Sequence, residues 1–98
     1  MEFLIRREDG DWFDLQYEQF QAVLRPTSFE SETIEGWGDH RICVGTMEIS
    51  FSCEDPGIQV TFDGLCEESF AQKVMEDILD NLHRATGQTG YIVNLGIE

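Results

Sequence analysis

Apolar residues recur along this chain with two different periods, and the change from one to the other divides it into elements. Phe3, Leu4 and Ile5 form a short apolar run that stops at Arg6 and Arg7, which predicts a first strand. Glu8, Asp9, Gly10 and Asp11 follow as a turn cluster. After Trp12 and Phe13, Asp14 is a plausible N-cap for a short helix over residues 15–24. Arg25-Pro26 would close it, because proline disfavours helical backbone in the residue before it. The stripe of Leu15, Phe20, Val23 and Leu24 is loose, and Phe13, Leu15 and Tyr17 alternate as a strand would, so residues 14–24 admit helix or strand.

Residues 27–40 are polar and acidic around Phe29, Ile34 and Trp37, and the alternation of Ile34 with its Glu neighbours predicts a short edge strand. Gly36-Trp37-Gly38 would then be a bend. From Arg41 the period settles at two. Ile42 and Val44 share one face, and Met47, Ile49, Phe51 and Cys53 share one face after Gly45-Thr46, so a bulge or tight turn must separate them. Glu54-Asp55-Pro56-Gly57 has turn chemistry, and Ile58, Val60 and Phe62 alternate with Gln59, Thr61 and Asp63. Residues 47–63 therefore read as a β-hairpin with one apolar and one polar face.

The period then becomes helical. Phe70, Ala71, Val74, Met75, Ile78, Leu79, Leu82 and Ala85 recur at steps of three and four and predict a helix over 67–86. Glu67 and Glu68 at its start and His83 and Arg84 at its end suit the helix dipole, and Gly87 supplies the stop. Residues 91–95 read as a last strand. The order β-α-β-β-β-β-α-β gives an α+β domain spanning 1–98: an antiparallel sheet of about five to six strands, covered on its apolar face by one long amphipathic helix, with a short N-terminal helix. The apolar stripe on the long helix reads as core.

Composition changes this picture mainly through charge. Twenty acidic side chains against six basic ones give a net charge of -14 in 98 residues. Such a charge opposes compaction by self-repulsion, yet 41% hydrophobic content with clear periods is enough to fold. The balance points to a partner rich in Lys and Arg and excludes nucleic acid, whose phosphates would be repelled. No apolar run approaches a membrane span and no basic segment precedes an apolar one at the N-terminus, so a cytoplasmic protein is expected. Cys43, Cys53 and Cys66 are odd in number and widely spaced, which predicts reduced, mostly buried thiols and neither zinc nor a disulfide framework.

Candidate catalytic groups do not assemble. Asp9-Gly10-Asp11 resembles a fragment of a calcium loop but lacks its spacing and its terminal Glu. Cys43 and His40 stand three apart on one strand and so point to opposite faces, with His40 read as a surface residue. Gly36-Trp37-Gly38 has neither the strand-to-helix setting nor the lysine of a phosphate loop. No enzyme activity, metal or cofactor is therefore expected.

The segments Trp37-Gly38-Asp39-His40-Arg41-Ile42, residues 48–60 (Glu48-Ile49-Ser50-Phe51 through Pro56-Gly57-Ile58-Gln59-Val60) and Ala85-Thr86-Gly87-Gln88 resemble small bacterial immunity proteins that neutralise polymorphic or contact-dependent toxins. The resemblance implies an acidic module that binds a cognate toxin at or beside its active site, many such toxins being basic nucleases. A nucleic-acid mimic that inhibits a DNA- or RNA-binding protein is the alternative the same charge supports, and a small enzyme is a third. The expected partner-binding residues are Glu30, Glu32, Glu35, Trp37 and Asp39 in the long acidic connection, with Glu54 and Asp55 at the hairpin tip. The outer face of the 67–86 helix is the rival surface. Tryptophan is enriched at binding hot spots, although the commoner place for Trp37 is folded back over the core. An exposed edge strand could also drive homodimerisation.

Overall fold

The computed structural model describes residues 1–54 and 57–96, so Asp55 and Pro56, at the predicted hairpin tip, lie outside the described residues. Six strands form one antiparallel sheet in the order β2-β3-β4-β5-β1-β6: β1 (Glu2–Arg7), β2 (Glu32–Thr33), β3 (His40–Val44), β4 (Met47–Glu54), β5 (Gly57–Asp63) and β6 (Gly90–Asn94). The N-terminal strand is inserted between β5 and β6 and pairs antiparallel with both. One long helix, α2 (Glu68–Thr86), links β5 to β6 across one face of the sheet. The element order and the α+β class follow the sequence pattern.

Alternation decides which face α2 covers. Phe3 and Ile5 on β1, Ile42 and Val44 on β3, Ile49 and Phe51 on β4, and Ile58, Val60 and Phe62 on β5 are all buried and share the core face. Ala71, Val74, Met75, Ile78 and Leu82 of α2 close over them, with Ile78 and Leu82 fully buried. Burying a side chain of this size is worth about 1.5–3 kcal/mol, so this layer carries most of the stability. Ala85, placed in the stripe by its spacing, is exposed. The helix stops at Gly87, which is left-handed at φ 72° and donates its N–H to the His83 carbonyl at 2.7 Å. Arg84 pairs with Asp80 one turn back.

The N-terminal helix is shorter than its pattern predicts. A 3₁₀ turn at Tyr17–Gln19 runs into one α-turn, α1 (Phe20–Val23). The helix begins later than Asp14: there the Asp14 N–H donates to the Gln88 side chain at 2.8 Å and the Leu15 N–H to the Phe13 carbonyl. Gln16, whose N–H donates to the Gln19 side chain in a capping box, is the true start. Phe20, Val23 and Leu24 still reach the core, as their spacing implied.

Two further expectations are corrected. His40 is not a surface residue: it has the parity of Ile42 and Val44, so its ring enters the core between Phe20 and Phe51. The thiols are not mostly buried, since Cys53 is exposed and Cys43 and Cys66 are half-buried. Cys43 has the opposite parity to His40 and lies on the uncovered face, as the three-residue separation required. Asp9 and Asp11 lie in a turn, with the Asp9 carboxylate accepting from Arg7 and from the Asp11 N–H. Those bonds hold Asp9 below the usual carboxylate range, the Arg7 bond most of all.

Candidate partner-binding surface

The face of the sheet opposite α2 has no helix over it among the described residues, and its side chains are the polar half of each alternation. Cross-strand register sets them in rows. Arg41, Ser50 and Thr61 lie side by side on β3, β4 and β5, and Cys43, Glu48 and Asp63 form the next row. The Arg41 guanidinium bridges the two acids, with Nη2 at 2.7 Å from both Glu48 Oε1 and Asp63 Oδ2. Bonded first to Glu48 and then to Asp63, Arg41 is held more firmly protonated than a free arginine.

The β2–β3 connection folds down onto this face. Asp39 donates its N–H to the Phe51 carbonyl at 2.8 Å and accepts from the Cys53 N–H at 2.8 Å. Two glycines permit the approach. Gly38 has φ +103°, and a Cβ there would sit 2.9 Å from the Phe51 carbonyl oxygen; at Gly36, with φ +153°, a Cβ would meet the Arg41 side chain at 2.5 Å. Ser50, although on the polar face, is buried, with its Cβ 3.5 Å from the space a Gly38 Cβ would occupy. Between the glycines, Trp37 stands out from the surface at 64% exposure, which corrects the expectation that its indole folds back over the core.

The result is a groove bounded by Trp37, Glu35, Arg41, Glu48, Thr61 and Asp63. Three carboxylates face one guanidinium there, so the groove keeps negative charge even with its ion pairs formed. An indole wall beside carboxylates suits a cation, which gains from the ring face as well as from the charges.

The structure brings only part of the expected set together. Glu35 and Trp37 share this groove. Glu30 and Glu32 are exposed but line a separate hollow with Arg25, Ser31, Cys43 and Gly45, beside edge strand β2. Asp39 is turned toward backbone, where its carboxylate secures the loop to β4. Glu54 pairs with Gly57 through backbone at the end of the hairpin, and Asp55 lies outside the described residues. Glu48 and Asp63 line the groove but were not among the expected residues. Their signal was present: both lie on the polar side of the 47–63 hairpin, which becomes the open face once α2 is assigned to the apolar side.

On the rival surface, α2 pairs Lys73 with Asp77 at 3.4 Å and Arg84 with Asp80, so its acids are partly answered within the helix. Burial works to raise the Asp77 carboxyl, but bonds from the Ser28 N–H and side chain and the charge of Lys73 outweigh it and hold it low. Asp77 thereby ties α2 to Ser28. No described helix is long and apolar enough to cross a membrane. Compared with known proteins, the chain matches no family model, no curated protein and no solved structure.

Proposed function

We propose that this chain is an acidic binding module that neutralises a cognate toxin by occluding a basic surface, above all the nucleic-acid groove of a nuclease. One observation carries the proposal: an exposed indole stands over a carboxylate-lined sheet face in a chain of net charge -14. A Lys or Arg of the partner would lie against Trp37 and reach Glu35, Glu48 and Asp63, while Glu30 and Glu32 extend the acidic field along the neighbouring edge. Long-range attraction would accelerate encounter and reject acidic competitors, and the desolvated indole would supply the anchor that rim charges cannot.

The test is a pulldown with the product of the neighbouring gene, at low and at high salt, followed by calorimetry with wild type and Trp37→Ala. Capture that weakens with salt is expected, as is at least a ~10-fold loss of affinity in Trp37→Ala, equivalent to about 1.4 kcal/mol. Absence of capture at low salt removes the toxin reading, and undiminished affinity in a folded Trp37→Ala removes this groove. Capture of a DNA- or RNA-binding protein in its place assigns the chain to the nucleic-acid mimics.

A further inference from the structure

The sequence treats the two edges of the sheet differently. β2 is two residues long, contains Glu32 and lies close to Glu30 and Glu35, and short charged edges resist pairing. β6, the opposite edge, has no such guard. Its residues Gly90, Tyr91, Ile92, Val93 and Asn94 sit inside an uncharged run over 85–96 that also lacks proline, although 27% of the chain is charged. At that frequency roughly three charges belong in such a run, so their absence is a local exception to a chain that is otherwise acidic.

The bonding phase of β6 fixes which backbone groups are left over. Leu95 donates its N–H to the Glu2 carbonyl at 3.0 Å, and Glu8 donates to the Thr89 carbonyl at 3.1 Å, in register with the Leu4↔Val93 and Arg6↔Tyr91 pairs. Bonding alternates along an antiparallel strand, so residues 89, 91, 93 and 95 face β1 and the N–H and C=O of Gly90, Ile92 and Asn94 point outward. No backbone bond to a described residue takes up these groups.

We propose that this edge pairs with the same edge of a second copy of the chain, antiparallel about a two-fold axis through Ile92. In that register Ile92 faces Ile92 of the second copy and Gly90 faces its Asn94, and each pair exchanges both its hydrogen bonds. All the outward groups of the strand are then used. On the open face, exposed Tyr91 comes opposite half-buried Val93 of the other copy, an aromatic against a β-branched side chain, which is a favourable cross-strand pair. On the helix face, half-buried Ile92 and Leu79 lie beside the junction and lose water from both copies.

Charge selects this occupant over a basic segment. A cationic strand would find no carboxylate on β6, whereas a second copy meets no like charge along it. The α2 flank above carries Glu76 and Asp80, but Asp80 is answered by Arg84 and His83 lies alongside. The net charge of each copy still opposes association at long range, so the dimer should strengthen as salt screens it. A basic partner at the Trp37 groove has the opposite salt dependence and uses the far side of the sheet, so the two proposals fail independently.

Sedimentation of the full chain over a range of concentration and salt tests the pairing. The expected result is a species of twice 11.3 kDa whose fraction rises with both. Val93→Lys places like charges at the junction, and Asn94→Pro removes an outward donor while leaving the β1 ladder intact, as an edge proline does. Each variant should weaken dimerisation at least ~10-fold with an unchanged circular dichroism spectrum. A wild type that stays monomeric at every concentration solubility allows, in high salt, overturns the proposal. So does a dimer that both folded variants leave intact.

Discussion

His40 tests how the core is built. Its imidazole lies between the rings of Phe20 and Phe51 at 6.2 and 5.5 Å, its Nε2 is buried without a partner among the described residues, and the Leu24 carbonyl accepts from the ring. Burial penalises the imidazolium and the Leu24 bond offsets only part of this, so the group titrates below its ordinary value of 6.5. As pH falls below 6.5 the unfolded chain takes up the proton first. Between that pH and the lower folded value, stability should fall by up to about 1.4 kcal/mol per pH unit. Above 6.5 both states are neutral and His40 contributes no slope. Protonating carboxylates that are not held low relieves the repulsion of a -14 chain and acts in the other direction, whereas Asp9 and Asp77 act with His40, so the raw stability curve mixes opposing effects. His40→Phe separates them: the new ring suits its aromatic neighbours, does not titrate, and loses the Leu24 bond equally at every pH. Urea unfolding followed by circular dichroism from about pH 7.5 to about pH 5.5 should show the variant gaining on the wild type as pH falls below 6.5, and not above it. Parallel curves would mean that the imidazole reaches water in the folded state, and the reasoning would fail.

The remaining predictions concern packing and surface. Phe51→Ala and Ile78→Ala, at positions almost without exposure, should each cost about 2–5 kcal/mol in thermal or urea melts, and a variant of wild-type stability would show that its residue is not packed. Asp39→Ala should cost about 1 kcal/mol by releasing the Cys53 N–H, and a loss of partner affinity with no loss of stability would restore Asp39 as a contact residue. Glu32→Lys with Glu35→Lys should weaken the basic partner without shifting stability by more than about 0.5 kcal/mol, while Glu76→Lys with Asp80→Lys should do less. The reverse order would move the interface to α2.

Most of the fold was legible because its elements are set by local period. The 47–63 hairpin and the 68–86 helix each show one face repeated often enough to exclude the other period, and their apolar faces can satisfy only each other. Legibility failed where side chains compete for backbone groups. At residues 14–16 the apolar spacing permits a helix, but Gln88, distant in sequence, holds the Asp14 N–H, and no local pattern carries that contact. His40 shows a different failure. Its parity with Ile42 and Val44 placed it in the core, but a histidine read by type alone is assigned to the surface.

The candidate site was half legible for a related reason. Acidity concentrated in one connection drew attention to residues 27–40, yet carboxylates in a loop have no sequence signal that separates a contact from an anchor. Asp39 and Glu35 look alike in the chain, and only the backbone N–H that one of them meets distinguishes them. Glu48 and Asp63 had the better signal, because alternation states which side of a strand they occupy. The open face of β3–β5 is charged and carries an exposed indole, while β6 at the opposite edge is uncharged and pairs with no further strand among the described residues. A chain under pressure only to stay soluble has no reason to strip charge from its longest exposed edge while crowding carboxylates at the other. The two partners proposed above, one basic and one a second copy of the chain, would account for that division.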